Sequence, residues 1–113
     1  MSEINKSDLK VVTEKLRQQA SRDDLRLTVH AHQEMAEENI SYDSVCEAMM
    51  NSTVIENYPE YQRGPCCLLC GQTESGRYLH IVCTTSLEVA VIITVYEPVP
   101  PKWITPFQRR KKI

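Results

Sequence analysis

The sequence contains few of the residues that build phosphate-binding loops, membrane spans or signal peptides. Its three glycines, Gly64, Gly71 and Gly76, are isolated, so no glycine-rich loop that could cradle a nucleotide is present. Its longest apolar run, Val89 to Val95, is interrupted by Thr94 and is far too short to cross a bilayer. The first ten residues hold too few large apolar side chains for a signal peptide. We therefore expect a cytoplasmic protein that does not contact a membrane.

Cysteine is present in an odd number, five, with Cys66 adjacent to Cys67 and no regular framework. Such usage is typical of a reducing compartment, and we expect free thiols. Cys67 and Cys70 have the spacing of half a zinc site, but in a strand they would point to opposite faces, and no second pair follows. Buried structural thiols are the favoured interpretation, and neither a metal nor another cofactor is predicted.

The composition is that of one ordinary globular domain, with 42% hydrophobic and 25% charged residues in a chain of 113. We divide this domain, 1–113, into an N-terminal helix and linker (1–26), a core (27–98) and a basic C-terminal tail (99–113). Residues 1–60 carry 6 basic and 12 acidic side chains, whereas residues 61–113 carry 7 and 3. The basic half suits nucleic acid or an acidic partner, and a merely solvated surface explains it equally well.

Apolar periodicity predicts helices first and strands second. Helical spacing indicates helices over 7–21 and about 31–38, and a third helix from a cap at Ser41 to about Met50. Residues 25–29 are expected to be extended. The later segments are rich in β-branched and aromatic residues, which predicts four strands over 53–58, 66–72, 78–84 and 89–96. The fold class is therefore α+β, with the helices packed on one face of a four-stranded antiparallel sheet.

Alternation in the last two strands separates two faces of this sheet. The apolar face, expected to pack on the first and third helices, contains Leu79, Ile81, Cys83, Val91, Ile93 and Val95. The other face contains His80 with Tyr78, Thr94 and Tyr96. If Gln72 opposes Arg77 across the turn, Cys67 joins the His80 face and Cys66 lies beside Cys83. Trp103 is expected to pin the tail back over the sheet edge.

His80 is the main candidate for chemistry. Metal-independent cleavage of an RNA phosphodiester needs a base for the 2′-hydroxyl, an acid for the leaving oxygen and a cation for the developing charge. His80, Tyr96 and Arg77, at the start of the strand, could share these roles, with Cys67, Tyr78, Thr94 and Trp103 as support on the same face. A hydrogen-bonded sheet histidine with no catalytic duty is an equally good interpretation.

His30 is a further catalytic candidate, near the start of the second helix. It could bind a metal with His32 only in an extended segment, and with Glu34 only in a helix. A histidine hydrogen-bonded near a helix start explains it equally well. For RNA binding, the tail offers cations that could contact phosphates: Lys102, Arg109, Arg110, Lys111 and Lys112.

A set of short motifs resembles the small bacterial family catalogued as domain of unknown function 4258, over about Leu27 to Arg110. They are His30-Ala31, Met35-Ala36-Glu37 with Ile40-Ser41, Glu56-x-Tyr58-Pro59, Cys67-Leu68-Leu69-x-Gly71, Gly76-Arg77-x-Leu79-His80-Ile81-Val82, Ile92-Ile93-Thr94-Val95-Tyr96-Glu97-Pro98 and Lys102-Trp103. That family is similar to RelE-like and ParE-like toxins, small α+β proteins.

The resemblance implies the toxin of a type II toxin–antitoxin system, an endoribonuclease of the mRNA-interferase kind. Its partners would be a cognate antitoxin protein and RNA, either free or on the ribosome. Fold likeness alone does not decide function. The alternative is a non-catalytic module that binds a protein through the same sheet face.

Overall fold

The computed structural model describes residues 6–110, which form three helices and seven strands. The helices are α1 (Lys6–Ser21), α2 (Val29–Glu38) and α3 (Tyr42–Met50). The strands are β1 (Leu25–Leu27), β2 (Thr53–Tyr58), β3 (Cys66–Gln72), β4 (Tyr78–Thr84), β5 (Ala90–Tyr96), β6 (Trp103–Thr105) and β7 (Gln108–Arg109). The α+β class and the order of helices before the main strands are confirmed.

Local capping explains why the helices begin where they do. The Thr28 hydroxyl accepts a hydrogen bond from the Ala31 amide at 3.0 Å, which starts α2 two residues before the predicted position. Ser41 caps α3 in the same way, through the Ser44 amide at 3.0 Å. Asn39 ends α2 in the left-handed conformation, with φ of 56°. These signals lie within a few residues of each helix, so the sequence reveals them.

The main sheet has five strands in the order β1-β5-β4-β3-β2, and β1 runs parallel to β5 while the other pairs are antiparallel. The prediction of a four-stranded antiparallel sheet is therefore wrong. Leu25 pairs with Ala90 and Leu27 with Ile92, which adds β1 at the edge. The extended segment predicted over 25–29 is present as β1, but three residues carry no alternation that would reveal a place in the sheet, and the pairing partner lies far along the chain.

The helices cover one face of the sheet, which we call the helix face. Leu79, Ile81, Cys83 and Val95 are fully buried there, as predicted, but β5 packs mainly on α2, a helix that the prediction did not place against it. Val91 and Ile93 are only half-buried, contrary to prediction, and Ala90 and Ile92 are in the core instead. The reason is a β-bulge, because Val82 pairs with Thr94 while Cys83 pairs with Ile92. A bulge reverses which side chains face the core.

Side chains near and within α2 form hydrogen bonds with backbone groups of β5 beside the bulge. The Thr28 hydroxyl donates to the Ile93 carbonyl at 3.0 Å, and the Val95 amide donates to a Glu34 carboxylate oxygen at 3.1 Å. Buried backbone groups without partners are costly, so these bonds stabilise the bulge. They also fasten α2 to β5.

The register of β3 and β4 differs from the predicted one by one residue. Gln72 pairs with Tyr78, and Cys67 consequently pairs with Cys83 on the helix face. The predictions that Cys67 shares the His80 face and that Cys66 lies beside Cys83 are both wrong. A shift of one residue moves every side chain of a strand to the other face, and the turn needed one more residue than expected.

The tail forms a second, two-stranded sheet of β6 and β7, in which Trp103 pairs with Arg109. Trp103 is buried and contacts His80, so this hairpin covers the face of the sheet away from the helices, rather than its edge. We call that side the outer face. Lys111 and Lys112, predicted to bind RNA, lie outside the described residues. Among the helices of residues 6–110, none is long and apolar enough to cross a membrane.

Candidate functional site

The outer face brings together several of the predicted residues. Tyr96 pairs with His80, and Tyr78 lies two residues from His80 on the same strand face. Thr94 is on this face as well, opposite Val82. The Trp103 ring contacts the His80 ring edge-on, with centroids 4.3 Å apart. The predicted grouping of these side chains on one face is therefore correct.

His80 is fully buried, and both of its ring nitrogens have partners. Nε2 lies 2.5 Å from the Pro106 carbonyl oxygen, and Nδ1 lies 3.1 Å from the Tyr96 hydroxyl. A carbonyl can only accept, so the neutral ring carries its proton on Nε2 and accepts from Tyr96 at Nδ1. Burial lowers the pKa of His80, which favours this neutral form. The ring holds the hairpin in place and has no nitrogen free for a substrate.

Arg77 makes its contacts on the helix face, on the opposite side of the sheet from His80. Its Nε donates to Glu97 at 2.7 Å, and its Nη1 and Nη2 donate to the carbonyls of Asn39 and Glu38 at 3.0 and 2.7 Å. Those carbonyls belong to the C-terminal end of α2, where a positive charge is favourable. Arg77 therefore ties α2 to the ends of β4 and β5 and does not meet His80.

His30 is exposed in the first turn of α2, and its Nε2 lies 3.3 Å from Glu34. That carboxylate also accepts the Val95 amide, so it is part of the bulge. Since α2 packs on the helix face, His30 and His80 lie on opposite sides of the sheet. Among the side chains of the described residues, no group of three or more metal-ligating residues is assembled. Of the four predicted catalytic residues, only His80 and Tyr96 are in contact.

A different cluster lies at the surface of the outer face. Arg109 forms two hydrogen bonds with the Glu56 carboxylate, at 2.8 Å from Nη2 and 3.0 Å from Nε. The Tyr58 hydroxyl donates to the same carboxylate. We call these three residues the Glu56 cluster. It contains a carboxylate, a phenol and a guanidinium within hydrogen-bonding distance, and all three side chains are accessible to solvent.

The charges of the Glu56 cluster are strongly coupled. The hydrogen bond from Arg109 lowers the pKa of Glu56, so its carboxylate stays ionised at neutral pH. Partial burial, followed by the Glu56 contact, raises the pKa of Tyr58 to about 12, so this phenol keeps its proton. The Arg109 guanidinium also lies over the Trp103 ring, 4.6 Å from the centroid. His80, Trp103, Arg109 and Glu56 thus form a continuous stack from the sheet to the surface.

Next to this cluster is a groove of about 260 Å³. Its lining consists mostly of apolar and aromatic side chains: Tyr58, Tyr61, Cys66, Val82, Ile93 and Thr94. Tyr58 and Tyr61 are exposed at 37% and 51%, whereas Cys66 is buried. The bulge places Ile93 here instead of in the core. Tyr58 belongs to both the groove and the Glu56 cluster, so the two are parts of one site.

The predicted RNA-binding cations are partly described. Lys102, Arg109 and Arg110 are exposed on the hairpin, and the Arg110 amide donates to the Lys102 carbonyl at 2.8 Å. Of these three, Arg109 belongs to the Glu56 cluster, through its hydrogen bonds to Glu56. Its contact with Glu56, which also accepts from Tyr58 of the groove, links the basic tail to this site.

Sequence reasoning missed Glu56, Tyr58 and Tyr61 as site residues. The sequence does indicate that Glu56 and Tyr58 lie on the same face, because they are two positions apart in a predicted strand. What it could not reveal is the contact with Arg109, which joins strands 53 residues apart. That contact depends on where the hairpin folds back.

The comparisons with known proteins identify a family. The family model described as Domain of unknown function (DUF4258) matches residues 27–97, which is more than half of the chain. Neither the curated proteins nor the solved structures provided a match. The likeness to RelE and ParE toxins therefore stays a prediction.

Proposed function

The chain belongs to the DUF4258 family, and we propose that it is a metal-independent endoribonuclease, the toxin of a toxin–antitoxin pair. One observation carries the proposal: the Glu56 cluster joins a carboxylate and a guanidinium beside a groove that its third member, Tyr58, also lines. These are the two groups that RNA cleavage without a metal most needs, a base and a stabiliser of phosphorane charge. The proposed catalytic base is therefore Glu56 and not His80, the residue predicted from the sequence.

Substrate binding would convert the resting ion pair into an active base. Arg109 binds Glu56 through a planar, two-point contact, and a phosphate can accept the same pair of donors. When an RNA phosphate takes Arg109, Glu56 loses the partner that lowers its pKa and becomes a stronger base. Tyr58 keeps the carboxylate oriented through its hydroxyl.

The chemical step is an attack within the RNA itself. Glu56 takes the proton of the 2′-hydroxyl, the 2′-oxygen forms a bond to phosphorus, and the bond from phosphorus to the 5′-oxygen breaks. Water protonates that leaving oxygen, and Glu56 returns its proton to solvent. The products are a 2′,3′-cyclic phosphate and a 5′-hydroxyl. Arg109 stabilises the negative charge that develops on the phosphorane.

His80 and Tyr96 act here as positioning residues. His80 holds the Pro106 carbonyl and contacts Trp103, and the hairpin that they anchor carries Arg109. Arg77 has a structural role at the end of α2. None of these residues touches the reacting atoms in this mechanism.

The first experiment measures RNA cleavage by purified, partner-free protein in the presence of a chelator. Glu56→Gln should lower the rate about a hundredfold or more, the usual scale for losing a base, and Arg109→Gln should also lower it severely. Glu60→Gln and Arg22→Gln are matched controls, because both side chains are exposed and lie outside the cluster. A protein that leaves RNA intact over a range of pH, or a Glu56→Gln variant that cuts normally, would overturn the proposal.

The second experiment addresses the toxin assignment. Expression of the wild type should arrest bacterial growth with loss of RNA integrity, whereas Glu56→Gln should not. Co-expression of the antitoxin, sought as the product of an adjacent small gene, should restore growth. Growth that is unaffected by wild-type protein at matched expression would contradict the toxin role. The endoribonuclease activity is tested independently by the cleavage assay.

The alternative, a non-catalytic module that binds a protein on the same face, is favoured by one feature. Ile104 and Phe107, two large apolar side chains on the hairpin, are exposed at 58% and 54%. Such a surface suits a protein partner. If cleavage and growth arrest are absent, and if Ile104→Ser with Phe107→Ser abolishes binding to the product of the adjacent small gene, the binding module is the correct function.

A further inference from the structure

We propose that the groove beside the Glu56 cluster binds one unpaired base of single-stranded RNA, stacked on Tyr61 and Tyr58. This inference rests on the proposed function for its ligand class. It adds what the enzyme would select: a strand whose bases are free to leave the stack, rather than a duplex. The residues that carry it are the six lining the groove.

The groove has the lining that a base requires. Two tyrosine rings are exposed, and base–aromatic stacking is the common way in which proteins hold single strands without reading their sequence. Val82 and Ile93 are half-buried and offer apolar contact, while the Thr94 hydroxyl is a polar group that can meet a base edge. The arrangement combines stacking with one hydrogen-bonding group.

The size of the groove limits its occupant. Pockets for drug-sized ligands usually measure about 300–1,000 Å³, and this groove, of about 260 Å³, is smaller. A single flat base fits such a space, whereas a base pair inside a duplex cannot enter it. Double-stranded RNA is instead recognised through its backbone and minor groove. Selection for unpaired RNA therefore follows from shape.

Position and charge favour RNA over an apolar peptide as the occupant. Tyr58 presents its ring to the groove and its hydroxyl to Glu56, so a base on the ring would place the attached sugar and phosphate near Glu56 and Arg109. Arg109 and Arg110 are cations at this end of the hairpin, and residues 61–113 carry 7 basic and 3 acidic side chains. A phosphate chain matches that charge.

The test uses a ligand that cannot be cut. A short single-stranded oligouridine with 2′-O-methyl groups has no 2′-hydroxyl to attack, so fluorescence anisotropy measures its binding without cleavage. An abasic strand of the same length and charge should bind about tenfold or more weakly, because one stacked base contributes about 1–3 kcal/mol. A matching duplex should compete poorly. Tyr61→Ala should weaken binding of the base-bearing strand to the abasic level.

Two variants control for folding and for the hydroxyl groups. Tyr61→Phe keeps the ring and should bind like the wild type, and Gln62→Ala changes an exposed neighbour and should do the same. Tyr58→Phe should keep binding while affecting cleavage, because its ring faces the groove and its hydroxyl faces Glu56.

The outcomes separate this inference from the proposed function. Equal binding of abasic and base-bearing strands, full competition by the duplex, or normal binding by Tyr61→Ala would each overturn the base site, even if the protein cuts RNA. Base-dependent binding without any cleavage of unmodified RNA would support the base site and overturn the endoribonuclease assignment.

Discussion

The indole of Trp103 stands edge-on against the imidazole of His80, with ring planes at 89° and centroids 4.3 Å apart. This contact closes the outer face over the residue that the sequence had singled out for catalysis. The Arg109 guanidinium lies over the same indole, 4.6 Å from the ring centroid, and reaches Glu56. The histidine therefore supports the surface site from beneath.

The burial of neutral His80 predicts a stability that depends on pH. Its folded pKa is below the unfolded value of about 6.5, so the unfolded chain binds the proton more readily. The contribution of His80 to the free energy of unfolding is present above about pH 6.5 and is lost as the pH falls through the folded pKa. Urea denaturation at several pH values should show the gap between wild type and His80→Gln shrinking with acid. A gap that is constant from pH 8 to pH 5 would contradict the buried neutral ring.

Arg77 should matter for folding and not for cleavage. Arg77→Gln removes a charged partner from Glu97 and from two carbonyls at the end of α2, which should cost about 2 kcal/mol in the free energy of unfolding. Cleavage per folded molecule should change less than threefold. Arg63→Gln, in an exposed turn, is the control. A fully folded Arg77→Gln protein with cleavage lowered a hundredfold would show that Arg77 acts in catalysis.

Gly71 is required by a close approach between β3 and α3. A Cβ built at this position would lie 1.9 Å from the Ala48 carbonyl oxygen, so Gly71→Ala must push the strand and the helix apart. We expect the free energy of unfolding to fall by about 1–3 kcal/mol or more, measured by denaturant titration. Glu74→Ala, at an exposed turn position, should be near neutral. A Gly71→Ala protein as stable as the wild type would show that the helix can shift freely.

The thiols should react in two classes. All five cysteines are free, and Cys46 is the one that is only partly buried, whereas Cys66, Cys67, Cys70 and Cys83 are buried. Burial also raises the pKa of Cys70 to about 11, which keeps it protonated. A thiol reagent should therefore count one fast group in native protein and five in freshly denatured protein. A denatured count of three would reveal a disulfide.

Much of the fold could be predicted because its signals are local. The cap at Ser41, the helical spacing of Leu16 and Ala20, and the β-rich segments each act within a few residues. The predicted strand over 78–84 matches β4 for the same reason. The core side chains of β4 followed from strict alternation within that strand, and the grouping of His80 with Tyr96 followed from alternation in β4 and β5.

The errors arose where the fold depends on contacts between distant segments. Thr28 and Glu34 form hydrogen bonds with β5 beside the bulge at Ile93. No sequence pattern within β5 predicts that bulge. The register of β3 was misjudged by one residue because the turn length is decided by packing as well as by turn residues. The sequence leaves a catalytic role open for His80, because its burial under Trp103 depends on a hairpin that lies far along the chain.

The sequence by itself determined the α+β class, the helix and strand segments, and the presence of one titratable ring within a strand, because propensity, capping and periodicity are short-range. Only the tertiary structure decided which chemical groups meet. It buried His80 through a hairpin that folds back over the sheet, and it delivered Arg109 to Glu56. Such pairings depend on chain reversal, bulges and register, whose energies come from packing between segments far apart in the chain.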